Sequence, residues 1–236
     1  MTAEATPRGT VRTVDWGRVG GICGLGWIVL FFVGAMILQG DTPVRDDSVE
    51  EIRRYFSDDG DTYLVGDYLL GIAFMIFFLP FIIVLRRVLA AAGGWAELLA
   101  RVSFYAGVTA IIWGGIAGFA WGALAIGADN PEMDDSAVRT LMELDAYAFS
   151  GLLFPIGLFM GAAGLSMWIS GVLWRWLGII GIIGFVGSYI GAAWPIDGDD
   201  EGAVAAIGII GFVGIGLFVL ITSIAMLMKR PSLSAR

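Results

Sequence analysis

The stretch LVGDYLLGIAFMIFFLPFIIVL, residues 64–85, decides the fold. Its one charge is Asp67, near the first end, and Arg86 and Arg87 follow directly. A helix crosses the hydrocarbon of a bilayer with about 20 mainly apolar residues. It satisfies every backbone polar group internally, which is why chains cross lipid in that form. Five further stretches have the same character: 19–39, 103–127, 146–169, 173–194 and 203–228. Arg175, again near an end, is the one charge among them. The composition agrees, with 58% hydrophobic residues and a mean hydropathy of +0.82, where a soluble domain is near half apolar. The sequence therefore predicts an all-α integral membrane protein, a six-helix bundle over residues 19–228. Residues 1–18 and 229–236 are expected to be short polar tails. The first apolar run is too long for a cleaved signal peptide and is expected to remain as an anchor.

Charge sorts by loop. The N-terminus, second loop, fourth loop and C-terminus carry ten bases and three acids, a net +7. The first, third and fifth loops, with the helix ends they join, carry four bases and nineteen acids, a net −15. Basic loops stay on the cytoplasmic side. Both termini are therefore expected in the cytoplasm, with the acidic face outside the plasma membrane. Trp95, Trp168, Trp174 and Trp176 fall near the basic boundary and Trp121 and Trp194 near the acidic one, as interfacial belts do. Trp27 and Trp113 lie deeper and read as packing residues.

The first acidic loop contains Ser48-Val49-Glu50-Glu51, a capping box. Val49, Ile52, Tyr55 and Phe56 follow at helical spacing. This predicts a short amphipathic helix, 48–57, lying on the membrane surface and ended by Asp58-Asp59-Gly60-Asp61. Residues 28–48 align without gaps with 116–136, sharing Ile28/Ile116, Phe31/Phe119, Gly34/Gly122, Asp41/Asp129, Pro43/Pro131 and Asp46/Asp134 among others. The offset spans two helices, so it suggests helical hairpins repeated in parallel; chance matching in a biased composition gives the same pattern.

Glycines recur at helix-packing spacing: Gly114, Gly118 and Gly122; Gly157 and Gly161; Gly178 through Gly191; Gly208, Gly211 and Gly214. Small residues let helices approach closely in lipid. These rows are expected to pack the bundle, with a homodimer seam or lipid groove as the other use. The winding row in the fifth span has room for two neighbours.

Much chemistry is excluded. The chain has no histidine, so His-ligated metals and His-dependent triads are out. Ala148-Phe149-Ser150-Gly151 resembles a rhomboid-protease serine motif, but no histidine base exists to activate Ser150. Cys23 stands alone, and the single lysine, Lys229, follows the last span. There is no phosphate-binding loop. No cofactor is implied, and the net charge of −8 gives no basis for a nucleic-acid partner. Ser103, Thr109, Ser166, Ser188, Thr222 and Ser223 are expected to bond back to carbonyls of their own helices.

Two carboxylates stand out at the acidic ends of spans. Asp67 lies in the second and Asp145 opens the fourth. Each is either a charge complementing a helix N-terminus or part of a site for a cation or a partner's arginine. Asp197, Asp199, Asp200 and Glu201 form the densest acidic run, and hard cations such as calcium take several oxygen ligands at once. They are candidate metal ligands, to be joined by Asp41, Asp46, Asp129 and Asp134 if the loops meet; otherwise they are solvated loop acids.

Ser170-Gly171-Val172-Leu173-Trp174-Arg175-Trp176-Leu177-Gly178 resembles a segment, with proline in place of Trp174, in an uncharacterised multi-pass membrane protein family of actinobacteria. Tyr68-Leu69-Leu70-Gly71 through Arg86-Arg87-Val88-Leu89 is similar to the second span of that family. The resemblance implies a six-helix membrane protein and assigns no activity. The expectation is a non-enzymatic membrane protein, an accessory subunit whose acidic face meets a partner or divalent cations. The alternative is a transporter or channel for a small neutral or cationic solute.

Overall fold

A computed structural model of the chain describes residues 15–38, 42–44, 46–197 and 202–229. Among them there are helices and turns and no strand. The helices are α1 (Trp16–Leu38), α2 (Val49–Ile72), α3 (Leu79–Ala90), α4 (Gly94–Gly127), α5 (Asp135–Ser170), α6 (Leu177–Gly191), α7 (Trp194–Asp197) and α8 (Ala203–Lys229). Among the described residues, five helical segments are long and apolar enough to cross a membrane. The six long segments form a closed ring in chain order, with α8 returning to pack on α1. Loops alternate between the two ends, so one end of the ring is acidic and the other basic. At the basic end Arg86 lies over the Phe104 ring and Arg87 over Trp16. Of the aligned segments, the described residues 28–38 end α1 and residues 116–127 end α4, both toward the acidic end.

The expected surface helix starts where its capping box predicts. Ser48 accepts the Glu51 N–H, and the Glu51 carboxylate accepts the Ser48 N–H. It does not stop at Asp58–Asp61. Helix continues unbroken from Val49 to Ala90, 42 residues, about 63 Å long. Packing overrides the breakers. Ile52, Phe56 and Tyr63 are buried with Leu124, Val138 and Met142, and Gly60 lets α2 pass close to Ala125 of α4. The starts of α2 and α5 and the end of α4 thus form a three-helix cap. Arg53 ties it together, donating to the carbonyls of Ala128 and Met133 and pairing with Asp135 at 3.3 Å.

Between α2 and α3, residues Ala73–Phe78 widen into a π-helical segment, and the Leu79 N–H reaches back five residues to Phe74. Pro80 follows, with no N–H of its own and a ring that crowds the carbonyl four residues earlier. A π turn relieves that crowding.

The fifth span is shorter than its apolar run. Gly171, in the left-handed conformation at φ 63°, ends α5. A turn stacks Trp174 on Trp176, and α6 begins only at Leu177. Its 15 residues cover about 22 Å, less than the ~30 Å of a hydrocarbon core.

As expected, the α6 glycines serve two neighbours. Gly178 and Gly181 lie on Gly164 of α5, while Gly187 and Gly191 lie on Gly211 and Gly208 of α8. The Gly114–Gly118–Gly122 row of α4 departs from expectation. A Cβ at Gly114 or Gly122 would meet nothing within 4 Å, and one at Gly118 would meet the Asp67 carboxylate. The hydroxyls also divide. Thr109 and Ser223 bond back within their helices. Ser103 and Ser166 instead bridge helices, to the carbonyls of Phe159 and Ala96. Ser188 and Thr222 are buried with no hydrogen-bond partner among the described residues.

Two predictions follow from this packing. In Gly181→Ala the new methyl would stand 2.5 Å from the Met160 carbonyl oxygen, and such overpacking costs about 1–3 kcal/mol. In Gly114→Ala the methyl enters empty space and alanine gains up to about 1 kcal/mol of helix propensity. Thermal unfolding in detergent is expected to rank Gly181→Ala below the parent and Gly114→Ala level with it or above. Asp134, the α5 N-cap, accepts the Ala137 N–H at 2.7 Å and the Ser136 hydroxyl at 2.8 Å. These bonds hold its carboxyl below the ordinary range. A carboxylate depressed by folding stabilises above its unfolded pKa, and the gain vanishes as pH falls through the lower folded value. Melting temperature against pH should therefore fall less steeply on the acid side in Asp134→Ala; parallel curves would refute the cap's role.

Candidate functional site

The ring is not equally filled along its length. In the basic half, Phe81, Ile82, Leu85, Val88, Leu89, Met160, Met167, Phe218 and Met226 pack into one buried core. In the acidic half a cavity of about 340 Å³ opens between α1, α2, α4, α5 and α8. The helix directions give it a depth axis. From Asp145 to Ile156 on α5 it runs eleven residues, about 16 Å. Tyr63, Asp67 and Asp145 line its acidic end; Trp27, Ile111, Ile156 and Ile215 line its deep end.

Asp67 and Asp145 thus meet on one cavity, one turn below the cap. Both are half-buried. Asp67 lies against the backbone of α4 at Gly118, where a Cβ would come 2.5 Å from its Oδ1. The absence of a side chain at Gly118 is what admits the carboxylate between α2 and α4. The Trp121 indole N–H faces Asp145 without reaching hydrogen-bond geometry. Among the described residues no arginine or lysine forms an ion pair with either carboxylate. Tyr63 and Trp121, with ring centroids 5.3 Å apart, and Phe56, 5.4 Å from Trp121, roof the site.

Aromatic rings make up much of the wall. Trp27 stacks on Phe31 at 4.8 Å and meets Phe74 edge-on at 5.8 Å. Phe212 joins Phe31 to Phe149, at 5.5 and 5.6 Å. Trp27 is fully buried, and its indole N–H has no hydrogen-bond partner among the described residues. The opposite wall is bare backbone: Gly71, Gly114 and Gly115 line the cavity, and a Cβ on any of them would meet nothing within 4 Å.

The acidic run of the fifth loop is not assembled into this site by anything described. Asp197 ends α7, and its side chain lies outside the described residues, as do Asp199, Asp200 and Glu201. Asp41 is outside them as well. Asp129 accepts the Ser57 hydroxyl at 2.6 Å, and Asp134 caps α5, so both serve the cap. Among the described residues no three acidic, cysteine or histidine side chains are grouped to hold a metal ion.

Two carboxylates supply negative charge, and aromatic faces attract cations. Sequence reading found the carboxylates and missed the walls. Trp27 packs as its depth predicts, fully buried against Phe31, Phe74 and Phe78, and its other edge borders the cavity. The one available signal was that Asp67 and the α4 glycines are each unusual within a span. Comparison with family models, curated proteins and solved structures finds no match.

Proposed function

We propose that this chain is a non-enzymatic integral membrane protein that binds a small organic cation in the Asp67–Asp145 cavity. The observation that carries the reading is a pair of carboxylates, without a basic partner among the described residues, closing an aromatic-walled cavity. Ionisable groups inside membrane spans are rare, face the bundle interior and mark functional sites. The division of loop charge supports a reading in which the acidic end faces outside the plasma membrane and both termini lie in the cytoplasm, and on that reading the cation arrives from outside. The packed basic half favours binding over a continuous pore.

Tetramethylammonium is the probe of choice for the full chain in nanodiscs. Asp67→Asn and Asp145→Asn are each expected to weaken its binding at least ten-fold, since opposite charges about 4 Å apart near a protein surface attract by up to about 4 kcal/mol. Equal affinity in parent and both variants, by titration calorimetry, would sink the reading.

The cap supports a second reading, that of an accessory subunit. Glu50, Asp58, Asp59, Asp61, Asp129 and Glu132 are all exposed on it, a surface suited to a basic protein partner or to divalent cations. Native mass spectrometry of protein taken gently from its own membrane should then show a second polypeptide at fixed stoichiometry. A lone monomer or homo-oligomer would count against it.

A further inference from the structure

The cavity has a side opening as well as an acidic end. Met75 and Phe119 line it, yet they are 60% and 78% exposed on the outside of the ring. Gly71 lies between their levels on α2 and is exposed too. The π-helical segment is what opens this gap. It packs on α1, while α4 touches the helix above it, at α2, and below it, at α3. Gly71, Gly114 and Gly115 leave the gap unfilled by side chains. The site is therefore continuous with the surface that faces lipid.

Polarity changes along the same axis. Tyr63, Asp67 and Asp145 stand at the acidic end, and about 16 Å deeper the lining is Ile111, Ile156 and Ile215. A molecule that matches both ends carries positive charge at one end and an extended apolar body at the other. Held in a bilayer, such a molecule lies with its charge at the interface and its chain along the helices, the orientation the cavity already has. For a probe taken up from water, each methylene that enters the cavity contributes about 0.8 kcal/mol.

We propose that the cavity takes a membrane-borne cationic amphiphile, a quaternary ammonium or amine with an alkyl chain, which enters sideways between α2 and α4. This deepens the reading given above and rests on it for the site of the charged head. The head sits at Asp67 and Asp145, between the Tyr63–Trp121 roof and Gly118. The chain runs past Phe74, Gly114 and Gly115 toward Ile111 and Ile156. Gly114 and Gly115 are glycines because side chains there would occupy the path of the chain.

The test uses the full chain in nanodiscs and a series of tetramethyl-, octyltrimethyl- and dodecyltrimethylammonium. Binding is read as the difference from the Asp67→Asn/Asp145→Asn double variant, which subtracts partition into the bilayer. In the parent, Kd is expected to fall at least ten-fold from the first probe to the last. In Gly114→Leu, whose Cβ meets no neighbour, the Kd values for tetramethyl- and dodecyltrimethylammonium should come within about three-fold of each other, so that the gain from chain length disappears whatever the affinity for the head. Gly115→Leu serves as a second variant with the same expectation. A dodecyl probe bearing a diazirine at its chain end should label residues 111–119 of α4 and 71–75 of α2 in the parent. Loss of binding by both Asn variants with no chain-length gain in the parent would overturn the amphiphile and leave the cation site standing. A chain-length gain that survives both Leu variants, or labelling confined to the outer faces of α6 and α8, would overturn it equally. Retention of a neutral lipid, indifferent to both carboxylate variants, would overturn the inference and the cation site together.

Discussion

Glycine set against glycine holds one side of this ring, and the other side is defined by its absence. Gly164 meets Gly178 and Gly181, and Gly191 meets Gly208, so α5, α6 and α8 touch backbone to backbone. Lipid supplies no hydrophobic drive for helices to associate, and close van der Waals approach takes its place. Across the ring, α2 and α4 also carry glycines, but Asp67 and a π-helical segment stand between them. There the same residue type leaves space. The contrast between a sealed and an open side makes a cavity out of a bundle that would otherwise close.

The cap is the second element that keeps the cavity. The cavity's walls come from five helices, and three of them continue beyond the apolar zone. Phe56, Tyr63, Trp121, Leu124, Val138 and Met142 bury one another there, and Arg53 binds the α4–α5 turn to α2. This fixes the relative depth of α2, α4 and α5, and with it the level at which Asp67 and Asp145 stand. A carboxylate half-removed from water is destabilised unless it is paired. No basic side chain among the described residues pairs with Asp67 or Asp145.

Much of the architecture was legible residue by residue. The apolar run 64–85 and its five companions named the helices, and Arg86, Arg87 and the loop acids named the two ends. Ser48-Val49-Glu50-Glu51 gave the start of α2 to the residue. Its length was misread because Asp58-Asp59-Gly60-Asp61 looks like a terminator by local propensity. Tertiary burial of Ile52, Phe56 and Tyr63 outweighs a few tenths of a kilocalorie per residue of unfavourable propensity. The short α6 was hidden as well, because an apolar turn such as Val172-Leu173-Trp174 reads the same as an apolar helix.

By itself the sequence determined that the chain is helical, that it inserts in a membrane, and how charge divides between its ends, because each of these depends on composition and period along one segment. Only the tertiary structure decided that Asp67 and Asp145 share a cavity, and that Gly114, Gly115 and Gly122 of α4 face space where the α6 glycines face neighbouring helices. Those facts depend on which side of a helix meets which neighbour. A glycine spacing of three or four residues specifies that a neighbour could come close; it does not specify whether one does.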